Sequence, residues 1–111
     1  MTPAEHAQAQ LDAYNAHDID RFVACFAEDV EVFDFPSGER RTKGRAAMRK
    51  GYGAMFAKGT VHAEVLQRIV QGAVVIDQEH VTGLREEPVA AVAIYEIEDD
   101  IIRRVWFVRD R

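Results

Sequence analysis

Asp34 is the residue of this sequence whose type and neighbours most directly predict chemistry. It follows Phe33 and precedes Phe35, at the end of a short run of apolar and β-branched residues. A carboxylate among aromatic side chains is poorly solvated, which raises its pKa and makes it a better general base near neutral pH. Asp is also common at the start of a turn, and Pro-Ser-Gly follows at residues 36–38. Asp34 is therefore a candidate general base, with turn initiation as the alternative interpretation.

Asp77 and Glu79 form a second candidate site, on a run that alternates polar and apolar residues. Because successive side chains of a strand point to opposite faces, the two carboxylates lie on one face. If that face is buried, they need counter-charges or shared protons. Arg68 and His62, both even-numbered on the preceding run, are the predicted partners, and the group would form a polar pocket floor beside Asp34. The alternative is that Asp77 and Glu79 face solvent.

Motifs for metals and cofactors are absent from the sequence. The four histidines show no H-x-x-x-H spacing, and the single cysteine, Cys25, excludes a C-x-x-C motif. There is also no Gly-rich phosphate loop and no G-x-S-x-G elbow. A mixed site of His62 with Glu79 or Asp77 is the remaining alternative. We therefore predict no metal and no cofactor.

Length and composition limit the class of protein. The 111 residues predict one domain, 1–111, and 48% hydrophobic residues predict a folded core. A net charge of −5 and the lack of a basic run argue against a nucleic-acid or anionic-membrane surface. No apolar run approaches the ~18 residues of a membrane span, and no signal peptide is visible. We expect a soluble, cytoplasmic protein whose partners include neither nucleic acid nor a membrane.

Three segments show helical patterns, at residues 3–16, 19–27 and 45–57. Thr2 and Glu5 form a T-x-x-E capping box with proline at the first helical position, which predicts the start of the first helix. Asp18 is a typical N-cap residue for the second, whose apolar residues recur at i, i+3, i+4 and i+7. The apolar face of the third helix carries aromatic and sulfur-containing side chains that include Tyr52, Met55 and Phe56.

Five runs rich in β-branched and aromatic residues predict strands: Val30–Phe35, Val61–Gln71, Val74–Thr82, Val89–Glu98 and Ile101–Arg109. The connections among the last four are too short for crossovers, so these four strands must be antiparallel neighbours. The resulting order, α-α-β-α-β-β-β-β, is an α+β layout in which the helices are segregated from a long meander.

The Val89–Ile94 segment is apolar on both faces, which is typical of a strand covered on both sides. One layer of helices covers only one face of a sheet, so the other face needs a partner. A homodimer is the simplest source of that partner. The predicted patch contains Val92 and Ile94 and is extended by Ile102 and Trp106 on the next strand. The alternative is a central strand whose alanines lie under loops.

Four pieces of the chain, taken in order, carry a family resemblance. They are Ala-Tyr-Asn-Ala-His-Asp-Ile-Asp at 13–20, Phe-Ala-Glu-Asp-Val at 26–30, the Asp34…Pro36…Gly38…Gly44 stretch, and the closing strand at 101–107. Together they resemble the nuclear transport factor 2-like superfamily, which includes ketosteroid isomerases, SnoaL-like polyketide cyclase proteins and small steroid-isomerase-like proteins. The resemblance implies a cone-shaped roll, with a bent antiparallel sheet wrapped around helices and an apolar internal pocket. It also implies dimerisation through the outer face of the sheet.

The resemblance implies roles for several positions. In the ketosteroid isomerases an aspartate that matches Asp34 transfers the proton. Their first-helix tyrosine falls on Gln10, one turn before Tyr14, and their neutral carboxylic acid falls on Ala93. Because an alanine cannot hold an oxyanion, the usual ketosteroid isomerisation is not expected.

The resemblance further places the odd-numbered face of the Val74–Thr82 run toward the interior. It thereby favours a polar pocket floor over solvent exposure for Asp77 and Glu79. Trp106 is interpreted as a residue of the core or of the dimer interface, with an apolar platform at the pocket mouth as the alternative. The predicted pocket residues are Gln10, Tyr14, Tyr52, Met55, Phe56, Arg68, Asp77, Glu79, Ala93 and Trp106.

Two classes of function follow from these features. The first is a cofactor-independent isomerase, cyclase or lyase-type enzyme acting on a small apolar carbonyl or cyclic substrate. Asp34 would be its general base, while Tyr14, His62 and the Arg68 cluster would orient the substrate or stabilise charge. The second is a non-catalytic ligand-binding or dimeric assembly module of the same fold. Ala93 favours this second class, because it stands where the ketosteroid isomerases have a carboxylic acid.

Overall fold

A computed structural model describes residues 1–109 of the chain. The helices are α1 (Pro3–Asn15), α2 (Ile19–Ala24) and α3 (Arg45–Ala57). The strands are β1 (Phe26–Asp34), β2 (Arg40–Lys43), β3 (His62–Gln71), β4 (Val74–Thr82), β5 (Val89–Glu98) and β6 (Ile101–Arg109). Within residues 1–109, no helix combines the length and the apolar character needed to cross a membrane.

The first two helices begin where their capping residues predict. The Thr2 hydroxyl accepts a hydrogen bond from the Glu5 backbone N–H at 3.2 Å, and the Glu5 carboxylate accepts one from the Thr2 N–H at 2.7 Å. Asp18 caps α2 by accepting a hydrogen bond from the Arg21 N–H at 3.1 Å. Both contacts satisfy backbone donors that a helix start otherwise leaves unpaired.

Two boundaries in the first half differ from the prediction. The second helix ends at Ala24, because Phe26 already pairs with Ile102 and begins β1. The charged segment after the Pro36 turn, expected to be a connection, forms the short strand β2. Its ladder to β1 places Val32 opposite Thr42. An exposed strand of charged residues lacks the apolar alternation that would predict it.

The six strands form one open sheet in the order β2-β1-β6-β5-β4-β3. The pairs β3–β4, β4–β5 and β5–β6 are antiparallel, which confirms the predicted meander. The β1 strand lies parallel to β6. Parallel strands need a long connection, and here the connection contains β2, α3 and the strands β3–β5. This arrangement is the α+β cone-like architecture that the resemblance implies.

The hydrophobic core lies between the helices and one face of the sheet. Phe22, Phe26 and Phe56 meet there, with the ring centroids of Phe22 and Phe26 5.0 Å apart. Ile102 is fully buried in this core, so its predicted place on the outer patch is wrong. A register shift between Glu96 and Ile97 turns Ile102 toward the helices.

Candidate functional site

A cavity opens between α1, α3 and the inner face of the sheet, and we call it the central cavity. About 90 Å³ is accessible inside it, which is below the roughly 300 Å³ at which typical ligand sites begin. Its lining is mostly apolar and aromatic, which suits a small organic ligand. The lining residues are Gln10, Leu11, Tyr14, Phe22, Tyr52, Met55, Ala63, Glu79, Val81, Leu84, Val89, Ala91, Tyr95, Phe107 and Arg109.

Glu79 is the acidic residue on this wall. It is 6% exposed and lies on the inner face of β4, opposite Ala91 of β5. Its carboxylate accepts no hydrogen bond from any of residues 1–109. Burial and, second to it, the nearby Asp77 carboxylate raise the pKa of Glu79 to about 7, while Arg68 opposes the shift. A carboxylate with a pKa near neutrality is suited to both accepting and returning a proton.

Asp77 lies behind Glu79 and is held by an ion pair. Arg68 donates from Nε to one carboxylate oxygen of Asp77 at 2.7 Å and from Nη2 to the other at 3.0 Å. The third nitrogen of the guanidinium donates to the side-chain oxygen of Gln8 at 3.0 Å. Asp77 is fully buried, so the guanidinium supplies the counter-charge that burial requires. Neither residue lines the central cavity, and together they support its wall.

His62 does not join this cluster. A bulge between Val65 and Gln67 shifts the register of β3, so that Arg68 lies on the same face as Ala63. His62 therefore faces the other way and is exposed. The expectation that Arg68 and His62 share a face because both are even-numbered is wrong, since it assumes a regular strand.

Three tyrosines, Tyr14, Tyr52 and Tyr95, line the cavity. The Gln10 side-chain amide donates to the Tyr95 hydroxyl at 2.9 Å, and the Tyr14 hydroxyl donates to the Met55 sulfur at 3.5 Å. Burial raises the pKa of Tyr52 to about 12, and it raises those of Tyr14 and Tyr95 further. All three phenols therefore stay neutral at ordinary pH and can act as hydrogen-bond donors.

Like Arg68 and Asp77, three further residues expected in the pocket lie outside it. Phe56 is buried in the aromatic core, with its ring centroid 5.4 Å from that of Tyr14, and does not line the cavity. Ala93 is fully buried behind the wall, opposite Asp77. Trp106 lies on the outer face of the sheet, where it stacks on Phe33 at 5.6 Å, and so is no platform at the mouth.

Asp34 ends β1 as expected but lies outside the central cavity. It borders a surface cleft of about 520 Å³ formed with residues of the Pro36 turn, β2 and β6, which we call the Asp34 cleft. Arg41 contacts one of its carboxylate oxygens at 2.5 Å, and Arg109 contacts the other at 3.0 Å. Two guanidinium groups thus replace the apolar surroundings that the neighbouring phenylalanines suggest. Its predicted role as a base stays a prediction.

Tyr95 and Arg109 are the polar cavity residues that the sequence analysis missed. Tyr95 has the same parity on β5 as the buried Ala93, and Arg109 has the same parity on β6 as Val105. That parity is the signal that places them inside once the inner face of each strand is known. Within residues 1–109, no group of three or more His, Cys, Asp or Glu side chains is arranged to hold a metal ion.

Comparison with known proteins assigns this architecture. The SnoaL-like domain matches residues 7–105. An uncharacterised cystatin-fold protein from Novosphingobium aromaticivorans is 32% identical, with 98% of this chain and 99% of that chain covered and a TM-score of 0.89. No curated protein sequence matches the chain.

Two further solved structures carry names that refer to activities. A proposed polyketide cyclase from Sinorhizobium meliloti is 27% identical over 93% of both chains, with a TM-score of 0.78. A proposed ketosteroid isomerase from Kribbella flavida is 21% identical, covers 98% of this chain and 78% of its own, and has a TM-score of 0.81. The likeness to the second is one of fold alone.

Proposed function

Because the chain belongs to the SnoaL-like domain family, we propose that it catalyses proton transfer on a small carbonyl compound bound in the central cavity. Glu79 is the general base in this proposal. The observation that carries it is a buried carboxylate on the cavity wall, without a hydrogen-bond donor among residues 1–109 and with a pKa raised to about 7. The names of the cyclase and isomerase relatives are consistent with this reaction class.

The reaction moves one proton and one electron pair. Glu79 removes a proton from the carbon next to the carbonyl, and the electrons of that C–H bond form an enolate. A neutral tyrosine hydroxyl donates a hydrogen bond to the enolate oxygen, and Tyr14 and Tyr95 are the candidates. The protonated Glu79 then returns its proton to the same carbon or, in a conjugated substrate, to a different one. This chemistry is complete with the side chains of the chain itself.

Glu79 is a stronger candidate than Asp34 for two reasons. Glu79 lines a cavity with a mostly apolar wall, whereas the Asp34 carboxylate borders a surface cleft shared with Glu39, Arg41 and Arg109. Both oxygens of the Asp34 carboxylate also accept hydrogen bonds from guanidinium groups, one from Arg41 and one from Arg109. A carboxylate whose two oxygens are already hydrogen-bonded must give up a partner before it can reach a substrate proton.

Solvent deuterium exchange tests the proposal. Small cyclic ketones such as cyclopentanone and cyclohexanone are incubated with the protein in D₂O, and loss of the proton signal at the α-carbon is followed by NMR. We expect exchange above buffer that falls at least 100-fold in Glu79→Gln, since general acid–base catalysis contributes roughly 10²–10⁴-fold. The matched control is Glu64→Gln, because Glu64 is an exposed carboxylate on β3.

The variant Asp34→Asn separates the two candidate bases. Exchange that is lost in Asp34→Asn but kept in Glu79→Gln would assign the base to Asp34 and overturn the assignment to Glu79. Exchange that is equal in the wild type and all three variants would remove catalysis by either carboxylate.

Ligand binding without catalysis is the second candidate function, and Ala93 favours it. This residue offers no hydrogen-bond donor and is buried behind the wall, so the cavity lacks an acid at this position. A thermal-shift screen with the same ketones tests this function, since a ligand at 100 times its Kd adds about 2.7 kcal/mol of stability. Stabilisation without deuterium exchange would support binding alone.

A further inference from the structure

Arg109 is the cation at the central cavity. Among the lining residues within 1–109, it is the single Lys, Arg or His side chain. It lies at the end of β6, opposite Ala91, and its side chain is 50% exposed. Arg109 also lines the Asp34 cleft, so this one residue borders both the central cavity and the surface cleft.

Two contacts hold the guanidinium in place. Nη1 of Arg109 donates to Asp34 at 3.0 Å, and the central guanidinium carbon lies 4.7 Å from the centroid of the Phe107 ring. Phe107 itself lines the cavity, so the guanidinium lies over a residue of the cavity wall. An arginine that is fixed in this way loses less conformational entropy when it binds a ligand.

The guanidinium keeps most of its binding capacity. An arginine has five N–H donors, and within residues 1–109 one hydrogen bond of Arg109 is found, from Nη1. The edge formed by Nε and Nη2 makes no hydrogen bond to residues 1–109. This pair of parallel donors matches the two oxygens of a carboxylate. Asp34 also pairs with Arg41 at 2.5 Å, so its single negative charge is shared between two cations.

We infer that Arg109 binds a carboxylate of the substrate, so that the substrate class is small keto acids rather than neutral ketones. The inference rests on the proposed function, since Glu79 would act on the keto end of the same molecule. A substrate anion needs a counter-charge near the cavity, because Glu79 is itself negative when it acts as the base. Arg109 supplies that charge and is a specificity-determining residue, while Asp34 is a positioning residue that acts through it.

The experiment compares two probes that differ in charge but hardly in shape, 3-oxocyclohexanecarboxylate and 3-oxocyclohexanecarboxamide. Calorimetric titration gives the Kd of each probe, and NMR follows deuterium exchange at the carbons next to the ketone. The variants are Arg109→Gln and, as a matched control, Arg49→Gln. Arg49 has a side chain 49% exposed and an ion pair to Asp20 at 2.6 Å, and it lies on α3.

We expect the wild-type protein to bind the carboxylate at least tenfold more tightly than the carboxamide. Arg109→Gln should abolish this preference by weakening carboxylate binding far more than carboxamide binding, whereas Arg49→Gln should keep it. The preference should also shrink as NaCl is added, since half of the Arg109 side chain is exposed to solvent. Equal affinities in the wild type, or a preference that survives in Arg109→Gln, would overturn the inference.

The Kd values test the carboxylate contact of Arg109, and the exchange rates test catalysis by Glu79, so that either can fail without the other. Deuterium exchange that depends on Glu79 and is equal for both probes supports the proposed function and contradicts the role of Arg109. A carboxylate preference that depends on Arg109 but comes without exchange supports the anion contact and contradicts catalysis by Glu79. Circular dichroism of each variant verifies that the fold is retained.

Discussion

Arg68 and Asp77 form a bidentate ion pair across β3 and β4, with N–O distances of 2.7 and 3.0 Å. The bulge before Gln67 places the arginine on the inner face, where the guanidinium meets a fully buried carboxylate. The same guanidinium opposes the rise in the pKa of Glu79 that burial causes. This ion pair thus supplies the counter-charge of a buried carboxylate and keeps the pKa of the candidate base lower than burial alone would set it.

Removing only the arginine of this ion pair should lower the free energy of unfolding more than replacing both charged residues by apolar ones. Arg68→Met leaves Asp77 charged and unpaired in the core, so we expect a loss of about 3 kcal/mol in the free energy of unfolding. The double variant Arg68→Met/Asp77→Leu removes both charges and should recover most of that loss. Urea unfolding at pH 7 measures both values. A double variant as unstable as the single one would contradict the prediction, because the unpaired charge of Asp77 would then not be the cause of the loss.

The parts of the fold that depend on local sequence were predicted closely. The capping contacts of Thr2 and Asp18 need only residues three positions away, and the predicted strands Val74–Thr82 and Val89–Glu98 match β4 and β5. The bulge in β3 follows no local turn signal, and a single extra residue reverses every later side chain. Even-numbered parity in a regular strand predicts both Arg68 and His62 as partners of Asp77. The bulge lies between them, so that Arg68 meets Asp77 and His62 does not.

The candidate site was predictable only where strand parity determines it. The alternation that places Glu79 and Asp77 on one face is a property of β4 alone, and the family resemblance indicates that this face is the interior one. The ion pairs of Asp34 depend on a short charged strand and on a parallel pairing between β1 and β6, which residues far apart in sequence create. No pattern within β1 indicates that Arg41 and Arg109 converge on its last residue.

Glu79 should make the folded chain less stable at alkaline pH. Burial raises its pKa from 4.5 to about 7, so the folded state holds this proton more tightly than the unfolded chain does. Stability is then lost as the pH rises from about 4.5 to about 7. Glu79→Gln should therefore raise the free energy of unfolding by about 2–3 kcal/mol at pH 8 and by much less at pH 4.5. Chemical denaturation at both pH values measures this difference.

The exposed residue Glu64 provides the control for this prediction. Glu64→Gln removes one carboxylate from the same sheet without changing the cavity, so its effect should be small and nearly equal at pH 8 and pH 4.5. A gain for Glu79→Gln that does not depend on pH would show that the carboxylate is solvated rather than destabilised by burial.

The pH dependence of deuterium exchange should follow the ionisation of Glu79. A general base acts when it is deprotonated, so the rate on a neutral ketone should rise with pH and level off above about 7. The measurement is the exchange rate of cyclohexanone between pH 5 and pH 9 at constant ionic strength. A rate already at its plateau at pH 5 would point to a carboxylate with an ordinary pKa and away from Glu79.

Gly83 should tolerate no side chain. It adopts φ +82°, and a Cβ there would lie 1.8 Å from the carbonyl oxygen of Thr60. Gly83→Ala must therefore displace the backbone that precedes Leu84 at the cavity, and we expect a loss of about 3 kcal/mol. Gly38→Ala is the control, because Gly38 has φ +75° but nothing within 4 Å of its Cβ position, and should cost about 1 kcal/mol. Equal losses in thermal denaturation would contradict the predicted clash.

The outer face of the sheet carries a continuous apolar row. The register places Phe33 beside Trp106, Trp106 beside Ile94, Ile94 beside Ile76, and Ile76 beside Ile69. This row crosses five of the six strands, and Ile69 at its end is 59% exposed. Val92 belongs to the next row, where Gln78 interrupts the apolar surface. The helices pack against the opposite face, so none of α1–α3 covers this row.

We therefore predict a two-fold symmetric dimer that buries this row against a second copy of the chain. A contiguous apolar surface of this kind usually marks an interface, and a row that crosses the sheet is self-complementary under a two-fold rotation. Ile94→Lys places a charge at the centre of the row and should weaken the dimer more than Val92→Lys. Ala47→Lys, on the exposed surface of α3, should have no effect. Light scattering at micromolar concentration measures the mass, and a value near the 12.5 kDa of one chain for the wild type would contradict the prediction.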